Sequence, residues 1–229
     1  MYLHQGQKVS LAVVIPAYNV ENYIRLVISQ LPSFVDFIIV VDDCSSDATA
    51  QEVKNINNER IHLIRHEQNQ GVGGAMLSGY QLAFALGAEI MVKVDGDNQM
   101  DPAYLPALIE PLIEMKADYT KGNRFLHAKE LQRMPLIRRI GNWGLSFLTK
   151  LSSGYWNIFD PTNGYTAIHR EAYGLLDTAS IATDYFFETS MLIQLNKIRA
   201  VVMDIPIPAR YADQPSYLSL TATFFQFPW

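Results

Sequence analysis

One cysteine, Cys44, stands in a chain of 229 residues. A lone thiol excludes an internal disulfide framework and fits a reducing compartment. No histidine-bearing motif surrounds Cys44, so nothing marks it as a nucleophile. Charge is sparse as well: 18% of residues are charged, and the net charge of -5 argues against a nucleic-acid partner. Long apolar runs are missing. None approaches the roughly 18 residues that span a bilayer, and the polar start, Met1 to Val9, lacks the apolar core of a signal peptide. The chain is expected not to cross a membrane, which leaves it able to lie on one. His66, His127 and His169 are scattered and share no metal-ligand spacing. There is no internal repeat, low-complexity tract or linker. Against these absences, 49% of residues are hydrophobic, enough for a substantial core.

That hydrophobicity is distributed as short runs alternating with helical spacing. Runs at 9–15, 37–41, 61–65 and 90–94 read as strands, and 117–122 resembles another. Segments at 21–30, about 48–55, about 75–86 and 102–115 read as helices, with Asp101 as cap and Pro102 at the first helical position. The pattern predicts an α/β domain with a mostly parallel central sheet and helices on both faces. Beyond 122 the regularity fades. A helix over 133–153, a strand over 162–169, a helix over 184–195 and a strand over 201–205 are expected, within a single domain.

Two of the strands run into carboxylates: Phe37–Val41 into Asp42-Asp43, and Ile90–Val94 into Asp95-Gly96-Asp97. Crowded carboxylates are costly unless a cation or a donor-rich ligand satisfies them, and open α/β sheets bind ligands beyond the carboxyl ends of their strands. For Asp95-Gly96-Asp97 two readings stand: a hard divalent ion held with substrate phosphates, or a turn using Asp as cap and Gly for positive φ. Asp42-Asp43 is either a helix start or a pair that accepts hydrogen bonds from a base or ribose. Asn69-Gln70-Gly71-Val72-Gly73-Gly74 reads as a turn that brings backbone near a ligand at a helix N-terminus. It lacks the Lys-Ser/Thr ending of a P-loop, and no G-x-G-x-x-G follows the first strand.

Taken in order, Pro16-Ala17-Tyr18-Asn19, Val41-Asp42-Asp43-Cys44-Ser45-Ser46-Asp47, Asn69-x-Gly71-x-Gly73-Gly74-Ala75 and Asp95-x-Asp97-x-Gln99-x-Asp101-Pro102 resemble the family 2 glycosyltransferases. The set is similar to the branch of dolichyl-phosphate mannose synthases and undecaprenyl-phosphate glycosyltransferases, strongly over about 9–124 and more loosely over about 160–220. The resemblance implies a GT-A fold, a nucleotide-sugar donor (UDP- or GDP-linked), Mg²⁺ or Mn²⁺ as cofactor, and inversion. It implies that Pro16, Ala17, Tyr18 and Asn19 line the nucleotide pocket with Gly73 and Gly96, and that Asp42 or Asp43 contacts base or ribose. Asp97 is the first expected metal ligand. Asp95 falls on the ribose or a metal-bound water, and Gln99 near the metal.

The half over about 125–229 is expected to carry the acceptor and face the membrane. Lys121-Gly122-Asn123-Arg124 resembles a family segment whose arginine faces phosphate, as a guanidinium fork suits. Asp160-Pro161-Thr162-x-Gly164-Tyr165 resembles the segment lining sugar and acceptor, and Asp184-Tyr185-Phe186-Phe187-Glu188 the aromatic-acidic helix start. A hydroxyl acceptor needs a general base, for which Asp184 and Glu188 are the candidates and Asp160 the third; a phosphate acceptor needs none. Arg210 and Ser216 match part of a family pattern, with Ala212 where glycine is usual and Tyr217 replacing Lys or Ser. The segment 133–150 mixes cations with large apolar groups, as interfacial helices do, although a core helix with a charged edge reads the same way.

The expected activity is transfer of a sugar to a polyprenyl-phosphate-type lipid at the cytoplasmic face of a membrane, the protein being peripheral there or held by a C-terminal anchor. Transfer to a sugar hydroxyl in polysaccharide assembly and non-catalytic nucleotide-sugar binding are the alternatives. The aromatic end, Phe224 to Trp229, also suits contacts between subunits of a homo-oligomer.

Overall fold

Alternation along one central strand sets both faces of the molecule. The computed structural model describes residues 2–4, 7–124, 147–161 and 163–208. After a small hairpin of β1 (Tyr2–His4) and β2 (Gln7–Val9) comes β3, Leu11–Ala17. Leu11, Val13, Ile15 and Ala17 point into one apolar cluster, Ala12 and Val14 into a second, as the period of two requires. The first cluster packs under α1 (Ile24–Gln30) and α4 (Leu105–Ile113); the second lies under α3 (Gly71–Ala85) and α7 (Phe187–Lys197). The remaining helices are α2 (Thr49–Lys54), α5 (147–153) and α6 (Arg170–Leu175).

The other strands are β4 (Phe37–Asp42), β5 (Ile61–Arg65), β6 (Ile90–Lys93), β7 (Tyr119–Asn123), β8 (Thr166–His169) and β9 (Val202–Pro206). Seven strands form one sheet in the order β5-β4-β3-β6-β8-β7-β9. All neighbours are parallel except β8, which runs antiparallel to both β6 and β7. The expected mostly parallel sheet flanked by helices is therefore observed. The chain winds outward from β3 through β4 and β5, then returns to place β6 on the opposite side of β3. Such a reversal of winding opens a crevice at the carboxyl ends of the strands, which is where both acidic clusters fall.

Boundaries moved for identifiable reasons. The first long strand does not stop at Pro16. Its pairing with β6 ends at Val14, while Pro16 and Ala17 still pair with β4. A residue without an N–H is harmless on the side where the ladder has already opened. The glycines of 71–74 are not a turn before a helix but the first turn of α3 itself. Asp184 does not begin a helix; α7 starts at Phe187. Most of the amphipathic 133–150 segment, Thr162 and the stretch 209–229, with Arg210, Ala212, Ser216 and Tyr217, lie outside the described residues.

Candidate active site

Two loops leave the ends of β3 and β4 and bind each other. The Asp43 N–H donates to the Ala17 carbonyl (2.8 Å), Asn19 N–H to Ser45 Oγ (3.0 Å), Ser46 N–H to Asn19 Oδ1 (2.9 Å) and Val20 N–H to Thr49 Oγ1 (2.9 Å). Asn19 and Cys44 adopt positive φ, 54° and 62°; asparagine tolerates that region better than most residues. Tyr18 is left 53% exposed at the rim. Pro16, Ala17, Tyr18 and Asn19 thus stand at the carboxyl end of β3, beside the loop that follows β4.

Asp42 and Asp43 are both buried, with different partners. Asp42 accepts the Ser45 N–H at 3.0 Å through Oδ1. Its Oδ2 lies 3.2 Å from Arg65 Nε as an ion pair, without hydrogen-bond geometry to any described residue. Asp43 accepts the N–H of Gln70 and of Gly71, each at 2.8 Å, and sits 2.7 Å from His66 Nδ1, whose Nε2 meets Ser78 Oγ at 2.9 Å. Asp43 therefore caps α3 from across the sheet, while Asp47 serves α2 through the Thr49 N–H (2.9 Å).

The glycine-rich start of α3 faces protein. Gly73 and Gly74 donate to the Thr183 carbonyl at 2.8 and 3.1 Å. A Cβ on Gly73 would come within 2.3 Å of Ala182 O, and one on Gly71 within 2.5 Å of Thr183 O. The close backbone approach read from the sequence is real, but its object is the 182–184 loop. Gly73 acts here by seating that loop, with its N–H already taken.

On the other side of the crevice, Asp95-Gly96-Asp97 follows β6. A Cβ on Gly96 would sit 3.2 Å from the Pro16 carbonyl, so the acidic loop lies directly on the β3 wall. Asp97 Oδ1 accepts the Gln99 N–H (3.0 Å), closing a turn through Asn98 at φ 65°. Burial pushes the Asp97 carboxyl up, and the charge of Asp95 adds to the rise. Asp101 caps the turn before α4 by accepting the Ala103 N–H at 2.9 Å, as expected.

Beneath the loop lies a group the motifs did not flag. Lys93, the last residue of β6, is 2% exposed. Its Nζ is 2.8 Å from Asp95 Oδ1 and 3.2 Å from Glu188 Oε1 on α7. Burial opposes the Lys93 charge, but Asp95 and Glu188 overcome it and hold the ammonium above its ordinary range. Burial likewise works against the Glu188 charge, and Lys93 and Lys121 overcome it, so Glu188 is held below the usual carboxylate range. A lysine inside the apolar run 90–94 was the available signal.

The residues expected on the acceptor side are also engaged. Arg124 grips Asp160, with Nε to Oδ2 at 2.7 Å and Nη2 to Oδ1 at 2.9 Å, and its N–H reaches Oδ2 at 3.1 Å. The expected phosphate-facing fork is thus closed on a fully buried carboxylate. Asp184 is exposed in a turn, accepting the Phe186 N–H at 2.9 Å. Lys121, fully buried, donates to the Asn163 carbonyl. Burial pulls its ammonium down to about 8, against the opposing pull of Glu188 and Asp160. Unfolded, this lysine titrates near its ordinary 10.5, so between the two values the unfolded chain holds more protons and stability rises with pH. Urea unfolding should show wild-type stability climbing from about pH 8 to 10 relative to Lys121→Met; parallel curves would remove Lys121 as the source.

Asp95, Asp97 and Gln99 are oxygen-bearing residues of one short loop after β6, and the buried Oδ1 of Asn98 has no hydrogen-bond partner among the described residues. No three His, Cys, Asp or Glu side chains converge as a closed cage among the described residues. A hard divalent cation held by one or two carboxylates and completed by phosphate and water fits that arrangement, and its charge would offset the repulsion that raises Asp97.

The seven-stranded sheet with its reversal of winding, and the Asp-x-Asp loop after β6, are those of a GT-A fold, and the likenesses to known proteins make it a glycosyltransferase. The chain belongs to glycosyl transferase family 2, whose model matches residues 12–176. It is 36% identical over 215 residues to the UDP-N-acetylglucosamine--dolichyl-phosphate N-acetylglucosaminyltransferase of Methanococcus voltae, covering 87% of this chain and 85% of that one. It is 26% identical over 199 residues to the undecaprenyl-phosphate mannosyltransferase of Micrococcus luteus, covering 85% and 81%. Among solved structures it resembles glucosyl-3-phosphoglycerate synthase from Mycobacterium tuberculosis, crystallised with Mn²⁺, UDP and phosphoglyceric acid. The TM-score is 0.67 at 19% identity, over 90% of this chain and 72% of that one.

Proposed function

We propose that this glycosyltransferase moves a sugar from a nucleoside-diphosphate sugar to a polyprenyl- or dolichyl-type lipid phosphate, with inversion at the anomeric carbon. The observation that carries the acceptor class is the state of the candidate bases. Of the three candidate bases, Glu188 is clamped by Lys93 and Asp160 by Arg124, so neither is poised to take a proton from a hydroxyl, and only Asp184, exposed and accepting the Phe186 N–H, carries no ion pair among the described residues. An ionised phosphate oxygen is already nucleophilic and asks for no such base. The named acceptors of the two relatives agree with this choice.

In this reading, residues 9–124 carry the donor and the rest of the chain carries the acceptor and the membrane-facing surface. Pro16, Ala17, Tyr18 and Asn19 form the nucleoside wall, with the buried Asp42 behind it. Asp43 and Gly73 support that wall by seating α3 and the 182–184 loop. Asp95 and Asp97, with Gln99, would hold Mg²⁺ or Mn²⁺, which when bound supplies Lewis-acid neutralisation of the diphosphate leaving group. The lipid phosphate oxygen attacks the anomeric carbon from the face opposite the diphosphate. The new C–O bond forms as the old one breaks, and the nucleoside diphosphate departs with the bonding pair. Gly96 keeps the acidic loop against Pro16, so donor and cation ligands share one wall. No helix among the described residues is long and apolar enough to cross a membrane; access to the lipid is proposed to be at the cytoplasmic face, as the lipid-phosphate acceptors named for the two relatives suggest.

The test is transfer of radiolabelled sugar from UDP- and GDP-sugars to a short-chain polyprenyl phosphate, with polyprenol and a sugar alcohol as hydroxyl controls. Label appearing only in the phosphate-bearing lipid is expected. Label in a hydroxyl acceptor instead would move the protein to polysaccharide assembly.

A further inference from the structure

Lys93 is an expensive residue in its position. It sits on a central strand, its side chain 3% exposed, where an apolar residue would be the cheaper occupant. Its Nζ is bracketed by Asp95 Oδ1 at 2.8 Å and Glu188 Oε1 at 3.2 Å. A Cβ on Gly164 would come within 2.3 Å of Lys93 Nζ and 3.0 Å of Asp95 Oδ2, so the neighbouring loop lies close over the pair and a side chain at 164 would have to displace it. Asp95 thus has its carboxylate fixed from below by a group that is itself fixed by α7.

We propose that Lys93 is a positioning residue of the donor site, held by Glu188 and orienting the Asp95 carboxylate, so that Glu188 acts through Lys93 and never on the acceptor. Carboxylates that bind a cation need their own hydrogen-bonded support, and loss of such outer partners weakens metal binding by about 10–100-fold. Glu188 then behaves as a remote anchor. A general base would behave otherwise, since its removal slows the chemical step by about 10²–10⁴-fold and leaves donor binding alone.

The inference rests on the donor half of the proposed function and is independent of the acceptor. The experiment is calorimetric titration of Mn²⁺ with UDP, or with GDP if the wild-type protein prefers it, into wild type, Lys93→Met, Glu188→Gln and the double variant. No acceptor is present, so a wrong acceptor assignment would show in the transfer assay and leave this measurement intact. Lys93→Met is expected to weaken Mn²⁺–nucleotide binding by about 10–100-fold, and Glu188→Gln by a smaller factor in the same direction. The double variant should bind as Lys93→Met does, because residues acting in one chain do not add. It also removes both charges of the buried pair, which protects the fold if Lys93→Met alone strands Glu188; thermal unfolding checks each variant. In the transfer assay, Glu188→Gln should raise the donor KM more than it lowers kcat. Wild-type Mn²⁺–nucleotide affinity in the folded double variant would overturn the proposal. So would a Glu188→Gln variant with unchanged affinity and kcat reduced by about 10² or more.

Discussion

Replacing Asp97 with alanine is expected to lower sugar transfer by about a thousandfold or more while the protein stays folded. Neutralising charge on a departing diphosphate is worth several kcal/mol, and each 1.4 kcal/mol is about tenfold in rate. The fold should survive because Asp97 contributes little to it. It accepts one hydrogen bond, from the Gln99 N–H, and burial together with the Asp95 charge already disfavours its ionised form. Removing it relieves repulsion and frees only the Gln99 N–H, which lies in an exposed turn. Asp97→Asn separates the two roles, since the amide oxygen can still accept from Gln99 but the charge is gone. Both variants should lose transfer, and both should melt within a few degrees of wild type. Near-wild-type transfer by folded Asp97→Ala would remove this residue from the cation site.

A second large effect is expected from a single methyl group. Gly73→Ala places a Cβ 2.3 Å from the Ala182 carbonyl oxygen and 2.8 Å from the Thr183 backbone carbons. None of these atoms is the end of a flexible side chain, so the 182–184 loop must move and the bonds from Gly73 and Gly74 to Thr183 are lost. Overpacking of this kind costs about 1–3 kcal/mol. If the proposed role of Asp184 beside the acceptor holds, a displacement near 1 Å there costs about a hundredfold in rate. Gly174→Ala in α6 is the contrasting case. Its Cβ would meet Phe84 at 3.5 Å, an ordinary contact, and alanine in a helix should stabilise by about 0.4–1 kcal/mol. Urea unfolding and the transfer assay together should place the two variants on opposite sides of wild type.

Much of the donor half could be read in advance because its signals are local. The runs at 37–41, 61–65 and 90–94 became β4, β5 and β6 almost unchanged; β4 and β6 are interior strands, which read as near-continuous apolar runs, while β5 is the half-buried edge strand. Asp101 and Pro102 announced their cap for the same reason. What escaped depends on contacts between distant segments. The glycines of α3 read as a turn because their packing partner, Thr183, is far along the chain. The pairing of Arg124 with Asp160 escaped because nothing in its sequence neighbourhood shows that Asp160 will take its fork. The direction of β8 left no trace in composition: Thr166–His169 reads as a strand whichever way it runs. Lys93 and Lys121 were legible as charges inside strands, but what each holds was not.

That reversed strand also dictates an order of events during synthesis. β3, β4, β5 and β6 form one contiguous block whose members all lie within residues 11–93 and pair with one another. β7 leaves the ribosome next, yet it has no place beside β6, because β8 must lie between them. Until residues 166–169 arrive, the open edge of β6 offers unpaired backbone donors and acceptors to any other extended chain. A nascent or truncated polypeptide ending in the 124–165 interval would therefore carry a sticky, half-built sheet. For this enzyme, the hazard of aggregation is concentrated in the time the translation machinery takes to cross that interval.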